Sequence, residues 1–245
     1  MHIRIRPLFI AFVFAPAALL GSSLAAADNA RSSVDWPGYY VGTVPCASCE
    51  GIKTVLELSD NGKRTRYTLV ETYLQDQPDV FRSSGPAQWH KDGTRLLLKG
   101  KDERRMLFVS EGFVEFVDED GKTQGKPGSS PYTLRKMDAF SGIGQQLLVD
   151  PAAVKPQGSG RDKRVGFPAL INFARTTEGG HRSLNARIVL NCAGKTYEMP
   201  EVSYHAQPFG AGKLLHSEKA NTNGPQPFAG KNDPMAQAAD AYCGR

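Results

Sequence analysis

Residues 36–58 read Trp36-Pro-Gly-Tyr-Tyr-Val-Gly-Thr-Val-Pro-Cys46-Ala-Ser-Cys49-Glu-Gly-Ile-Lys-Thr-Val-Leu-Glu-Leu58. Residues 52–58 alternate in a two-residue period rich in β-forming types, which indicates a half-buried strand after the second cysteine. In a thioredoxin-type Cys-x-x-Cys the first sulfur instead opens a helix, whose amides and dipole lower the pKa of the thiol. The stretch therefore predicts two strands joined by a bend that carries Cys46 and Cys49.

Outward from this stretch, short β-type runs alternate with turn signals as far as residue 136. The predicted strands are 39–44, 52–58, 65–74, 87–90, 95–99, 105–110, 113–118 and 132–136. Asn61-Gly62 supplies the positive φ angles of a tight hairpin. Eight such strands are enough to close an antiparallel barrel, which removes the exposed edges of the sheet. A barrel of this size is either filled by side chains or holds one small ligand.

Three segments of this region resemble the N-terminal domain of the NlpE-type envelope lipoproteins, a family linked to copper resistance and envelope stress signalling. The matching segments are Trp36-Pro-Gly-Tyr-Tyr-Val-Gly, Val44-Pro-Cys-Ala-Ser-Cys-Glu-Gly-Ile-Lys-Thr and Tyr67-Thr-Leu-Val-Glu-Thr-Tyr. The resemblance covers residues 36–136. It implies a small lipocalin-like β-barrel exported to the envelope, with an envelope sensor or another envelope protein as partner.

The first 27 residues have the three-part pattern of a secretory signal peptide. Arg4 and Arg6 precede an apolar run over 8–20, and small residues lead to a predicted cleavage site after Ala27. No later apolar run approaches the ~20 residues needed to span a bilayer. The expected location is periplasmic or secreted. The signal region contains no Cys to carry a lipid, which departs from the lipoprotein family.

The length of 245 residues and a Pro- and Gly-rich segment between two β-rich parts suggest two small domains. A net charge of +5 without Lys/Arg clusters or a recognition motif gives no indication of nucleic-acid binding. We predict a flexible N-terminus over 28–35, the barrel over 36–136 and a Pro/Gly-rich linker over 137–164 with one helical turn near 145–149. A β-rich C-terminal domain is predicted over 165–245.

The C-terminal part predicts an antiparallel sheet followed by a short helix. Its predicted strands are 169–175, 184–192, 195–204 and 213–216. Asp233 is a preferred N-cap residue and Pro234 suits the first helical position, so an Ala-rich helix is expected over 235–242. Leu190-Asn-Cys192, Lys195-Thr-Tyr-Glu-Met199 and Ala241-Tyr-Cys243 resemble, more weakly, the surface-adhesin protein E family, in which a disulfide ties a C-terminal helix to an antiparallel sheet.

The chain has four cysteines, which allow three pairings. Cys46 with Cys49 and Cys192 with Cys243 keep each bond inside one predicted domain. Closing the ~50-residue loop of the second pair would remove unfolded-state entropy equivalent to about 4 kcal/mol. Cys46 and Cys49 have three readings: a disulfide staple, a thiolate site for Cu(I), which soft sulfur ligands select and the family suggests, or a redox centre.

Additional ligands for a Cys46/Cys49 metal site are not found at ligand spacing, and His90 and Met106 are the first candidates because they lie in the same predicted barrel. No catalytic residues or organic cofactor are predicted, and copper is the one candidate metal. The leading hypothesis is a non-enzymatic envelope protein that senses or handles copper or redox state. The alternatives are an adhesion or protein-interaction module with purely structural disulfides, and a lipocalin-like carrier of a small ligand.

Overall fold

A computed structural model describes residues 29–101, 104–219 and 224–244. The predicted signal peptide over 1–27 lies outside the described residues. None of the described helices has the length and apolar content needed to cross a membrane. The fold is mainly β, as predicted.

The first eight strands form a closed antiparallel barrel in which each strand pairs with the next and β1 also pairs with β8. They are β1 (Gly38–Val44), β2 (Ile52–Asp60), β3 (Thr65–Tyr73), β4 (Val80–Trp89), β5 (Arg95–Lys99), β6 (Arg104–Ser110), β7 (Phe113–Val117) and β8 (Thr133–Gly142). The predicted barrel is confirmed, with strand boundaries that differ at β4 and β8. The strand predicted after Cys49 is also confirmed, since β2 begins at Ile52.

Strand β4 begins seven residues before its predicted start at residue 87. Residues 80–86 pair with β3 alone, since the ladder to β5 begins at Ala87. A segment with one paired neighbour tolerates Pro86, which lacks an N–H. At Gly85 a Cβ atom would lie 2.3 Å from the carbonyl oxygen of Lys99, so only glycine allows this close approach. Ser83, Ser84, Gly85 and Pro86, which are residue types common in turns, are therefore part of a strand.

The interior of the barrel is packed at the end where β1 begins. Its largest fully buried side chains include Tyr40, Leu56, Leu58 and Tyr67. A single helical turn, α1 (Ala30–Ser33), lies at the same end, where Ala30 is also buried in this core. Part of the segment predicted as a flexible N-terminus over 28–35 is thus helical and packed.

Strand β8 connects the barrel to a second sheet. Its first half pairs with β7 and β1, and its second half, from Asp138, pairs with β9 (Gln145–Val149). The helical turn predicted near 145–149 is wrong, and strands also occupy other parts of the segment predicted as a linker over 137–164. Leu147, Leu148 and Val149 are all fully buried, and such a short continuous apolar run does not distinguish strand from helix.

The C-terminal sheet consists of the second half of β8 and the strands that follow. These are β9, β10 (Lys155–Gln157), β11 (Arg164–Phe173), β12 (Ser183–Asn191), β13 (Thr196–Gln207), β14 (Ala211–Lys219) and β15 (Gln226–Pro227). The main path of the sheet runs β8-β9-β11-β12-β13-β14. Helix α2 (Pro234–Cys243) packs against one face through Met235, Ala238 and Tyr242. The predicted helix is confirmed.

The opposite side of the C-terminal sheet contacts the outer wall of the barrel. A short 3-10 turn, Pro208–Gly210, joins β13 to β14, and Ala211 packs with Val55 and Val70 of the barrel. The ring of Phe209 lies 6.1 Å from that of Tyr39. The two sheets are therefore joined both by a shared strand and by an apolar contact.

Candidate functional site

The Cys46/Cys49 bend is a loop at the end of the barrel opposite α1. The two sulfurs form a disulfide whose Cα atoms are 5.3 Å apart. The backbone N–H of Glu50 donates to the carbonyl of Leu74, and the N–H of Leu74 donates to the carbonyl of Gly51. These bonds fasten the loop to the chain just after β3. The loop is therefore held at its base, on the β2 side, while its tip, Ala47 and Ser48, is exposed.

The contacts of Cys49 and Lys53 give little support to a thiolate at the loop. The Sγ atom of Cys49 lies 3.2 Å from the carbonyl oxygen of Gly51, which could accept a hydrogen bond from a thiol but would repel a thiolate. Lys53 is the basic residue nearest in sequence, but its ammonium bonds to Asn185 of the C-terminal sheet. No helix begins at the loop. The loop thus lacks the features that activate a thioredoxin-type cysteine.

A cavity of about 670 Å³ opens beside this loop, at the mouth of the barrel. Its apolar lining includes Pro45, Ile52, Met106 and Phe116. It also reaches an ion pair between the buried carboxylate of Glu71 and the partly exposed guanidinium of Arg105. The mouth of the barrel therefore combines apolar surface, a polar floor and the adjacent disulfide loop.

The two candidate additional ligands lie at different ends of the barrel. Met106 lines the cavity together with Pro45, next to Cys46. His90 follows the last residue of β4 at the opposite end, where its Nδ1 is 3.0 Å from a carboxylate oxygen of Asp92. Across residues 29–101, 104–219 and 224–244 no group of three or more His, Cys, Asp or Glu side chains could hold a metal ion.

The donor set fits copper(I) only in its reduced form. A disulfide offers no thiolate, whereas two reduced cysteines offer the soft sulfur ligands that Cu(I) prefers. The thioether of Met106 is a further soft donor at the same mouth of the barrel. Cys46 and Cys49 would thus hold the metal, and Met106 is the candidate third ligand among the residues that line this cavity.

A second disulfide joins Cys192, just after β12, to Cys243 at the end of α2. The Nζ atom of Lys163 donates to the carbonyl of Cys243 at 2.8 Å. At the other end of α2, the carboxylate of Asp233 accepts from the N–H groups of Met235 and Ala229. The disulfide therefore fastens the C-terminal end of the helix to the sheet, and the Asp233 cap ties its first turn to the preceding loop.

Sequence reasoning missed two polar contacts between distant residues. Glu71 lies on the inward-facing side of β3, and Arg105 comes from β6. Lys53 lies on the outer face of β2 and reaches Asn185 on β12. Glu71 occupies an inward position of a strand, and such a buried charge could have indicated an ion pair with Arg105. The contact between Lys53 and Asn185 had no local signal in the sequence.

Comparison with known proteins gives a family match for each part of the chain. Residues 40–126 match the family model described as NlpE N-terminal domain. The barrel segment is therefore similar to the NlpE N-terminal domain. Residues 135–244 match the model described as surface-adhesin protein E. The lipoprotein NlpE of Escherichia coli strain K12 is 25% identical over 160 residues, which cover 59% of this chain and 63% of that protein.

Two solved structures are also similar. One, a protein from Shewanella oneidensis described as a putative lipoprotein, has 30% identity and a TM-score of 0.39, with 44% of this chain and 95% of that chain covered. The other is the Cpx pathway activator NlpE from Escherichia coli, with 18% identity and a TM-score of 0.30 over 63% of this chain and 86% of that one. The Cys46–Cys49 loop lies inside the segment matched to the NlpE N-terminal domain.

Proposed function

We propose that this protein is a non-enzymatic, exported envelope protein of NlpE type that senses thiol redox state or copper through the Cys46–Cys49 loop. The observation that carries the proposal is the disulfide loop at the mouth of an NlpE-type barrel. The related protein of Escherichia coli is named a lipoprotein, which supports a location in the cell envelope. Sensing needs a site that changes state, and this loop has two chemically distinct states.

The chemistry of the loop is a two-electron exchange. A dithiol reductant of the envelope delivers two electrons and two protons to the Cys46–Cys49 bond and itself becomes a disulfide. Cys46 and Cys49 would then hold Cu(I) as thiolates, so metal binding would release protons and depend on pH. The two states differ in whether the tip of the loop is crosslinked. The exposed tip, Ala47 and Ser48, is the part that an envelope partner would contact.

Titration of the reduced protein with Cu(I) under anaerobic conditions tests this proposal. We expect stoichiometric binding by the wild-type protein, no stoichiometric binding by Cys46→Ser/Cys49→Ser, and weaker binding by Met106→Leu. The matched control is Cys192→Ser/Cys243→Ser, which should keep the site. Binding that survives in Cys46→Ser/Cys49→Ser would remove the copper role.

Thiol counting separates sensing from a purely structural disulfide. A Cys46–Cys49 bond that is reduced reversibly under mild reductant, while Cys192–Cys243 stays intact, supports a sensor. Resistance of both bonds would favour the adhesion or interaction module, which the match of residues 135–244 to surface-adhesin protein E also supports.

A lipocalin-like carrier is the second candidate function, and the cavity at the mouth of the barrel is the observation that favours it. An uncharged fluorescent probe such as N-phenyl-1-naphthylamine should bind there. Ile52→Trp would fill the cavity and abolish binding, whereas Ile143→Trp, at an exposed position outside the barrel, should not. Equal binding by both variants would reject this site.

A further inference from the structure

A cleft of about 930 Å³ lies between the outer wall of the barrel and the C-terminal sheet. Val41 and Met137 line it on the barrel side, and Leu170 and Asn185 line it on the other. Lys53 also faces this cleft. Its volume is within the range of small-molecule sites, which are concave, mostly apolar and carry a few fixed polar groups.

The ammonium of Lys53 is held in place where the two sheets meet. The Nζ atom donates to the amide oxygen of Asn185 at 3.1 Å. On the neighbouring turn, a Cβ atom at Gly210 would lie 2.5 Å from this nitrogen, so the absence of a side chain there makes room for it. Burial lowers the pKa of Lys53 to about 8. The cation is thus partly removed from water at a fixed position.

Within the described residues this ammonium has no ion pair. Its one hydrogen-bond partner there is the neutral amide of Asn185, although an ammonium has three N–H donors. Asp150 and Glu201 line the same cleft and form no ion pair with Lys53. Placing a charge in a poorly hydrated position without a counter-charge is unfavourable, and a bound anion would relieve that cost.

Asn185 is itself held in place by its contacts. Its Nδ2 lies 3.1 Å from Nε2 of His205. Burial and the charge of Lys53 lower the pKa of His205, which favours the neutral imidazole, whose Nε2 can accept a hydrogen bond from the Asn185 amide. The amide of Asn185 therefore orients the ammonium.

The other charged side chains that line the cleft give it almost no net charge. Three basic side chains, Lys155, Arg187 and Lys219, face three acidic ones at the rim. These contributions nearly cancel and are screened by solvent. The charge next to the apolar lining of the cleft is therefore the ammonium of Lys53.

We propose that this cleft binds a small amphiphilic anion, with a carboxylate or phosphate group on Lys53 and an aliphatic chain against Val41, Met137 and Leu170. Both anionic groups suit an ammonium, which acts as a point charge. The site lies on the outside of the barrel, away from the Cys46–Cys49 loop. It is therefore independent of the function proposed for that loop, and copper titration and anion binding can fail separately.

Calorimetric titration with octanoate, octyl phosphate, inorganic phosphate and octylammonium tests the site. The wild-type protein should bind octanoate or octyl phosphate saturably, inorganic phosphate more weakly because it lacks the chain, and octylammonium not at all. The stronger of the two amphiphiles distinguishes a carboxylate source from a phosphate source. Absence of saturable binding by both amphiphiles would overturn the proposal.

Two variants locate the anionic group. Lys53→Met removes the charge, and Asn185→Asp supplies a permanent carboxylate partner that competes with the ligand; each should weaken octanoate or octyl phosphate binding by about tenfold or more. Lys155→Met, at the rim, is the matched control and should leave affinity within about twofold. Undiminished binding in Lys53→Met would contradict the site.

A measurement on the wild-type protein keeps the test independent of how the variants fold. The pKa of Lys53, followed by NMR of its side-chain nitrogen, should rise when the better amphiphile is added, because a bound anion stabilises the protonated form. A saturable ligand that leaves this pKa unchanged would place the anion elsewhere and overturn the assignment.

Discussion

Glu71 on β3 and Arg105 on β6 form a bidentate ion pair inside the mouth of the barrel, with N–O distances of 2.7 and 2.9 Å. The carboxylate side chain is 8% exposed and the guanidinium side chain 34%. Arg105 also lies over the ring of Phe116, 5.4 Å from its centre. The pair gives the cavity a floor that is polar but close to neutral.

Removing one member of this pair should destabilise the protein more than removing both. Arg105→Met leaves a buried carboxylate unpaired, which we expect to lower the free energy of unfolding by about 3 kcal/mol. Glu71→Leu/Arg105→Met removes both charges and should recover most of that loss. Urea denaturation of the single and double variants measures this difference. A double variant less stable than Arg105→Met would contradict the account.

The stability of the protein should rise with pH where Lys53 titrates. Burial lowers the pKa of Lys53 from 10.5 to about 8, so between these values the unfolded chain binds more protons than the folded one. The penalty for the buried charge is present below pH 8 and disappears as the pH rises toward 10.5. The gain is at most about 3 kcal/mol, reduced by solvent screening.

Urea unfolding of the wild-type protein and Lys53→Met across this pH range isolates the effect, because other titrating groups contribute to both proteins. The difference in their free energies of unfolding should shrink as the pH rises. A constant difference would mean that the ammonium is fully hydrated. The matched control, Lys155→Met, should follow the wild type because Lys155 is exposed.

The two disulfides should contribute unequally to stability. Cys192 and Cys243 are 51 positions apart, whereas Cys46 and Cys49 are 3 apart. In the chain-entropy model the larger loop contributes about 4 kcal/mol and the smaller about 2 kcal/mol. Cys192→Ser/Cys243→Ser should therefore lower the unfolding temperature more than Cys46→Ser/Cys49→Ser. It should also speed amide hydrogen exchange in α2; equal effects of the two double variants would contradict this prediction.

The sequence predicted the parts of the fold that depend on local pattern. Alternation and turn residues indicated the barrel strands, and the Asp233-Pro234 cap indicated α2. Strand β9 was missed because its buried apolar run has no strand-specific period. The start of β4 was missed because Ser, Gly and Pro are usually turn residues. Here they lie in a strand segment that pairs with β3 on one side and has no strand paired on the other.

The candidate sites were less accessible to sequence reasoning. The loop that carries Cys46 and Cys49 was evident from its motif, since the motif is local. The contact of Lys53 with Asn185 joins residues 132 positions apart and depends on how β8 places one sheet against the other. No periodicity or spacing encodes such a contact, so the cleft could be found only from the structure.

Replacing Ile143 should stabilise the protein. The turn between β8 and β9 consists of Ile143 and Gly144, both with positive φ (44° and 75°). A β-branched residue is unfavourable in this left-handed region, whereas Asn is preferred in a two-residue hairpin turn of this kind. The side chain of Ile143 is 55% exposed, so little packing is lost on replacement. Ile143→Asn should raise the free energy of unfolding by about 1 kcal/mol.

Thermal unfolding of Ile143→Asn and two controls separates turn strain from surface polarity. Leu214→Asn makes a similar polar change at an exposed position with ordinary backbone geometry and should give no gain. Ile143→Val keeps a β-branched residue in the turn and should behave as the wild type. If Leu214→Asn stabilises as much as Ile143→Asn, the gain comes from removing exposed apolar surface. If only Ile143→Asn stabilises, the strain lies in the turn that leads the chain from the barrel into the C-terminal sheet.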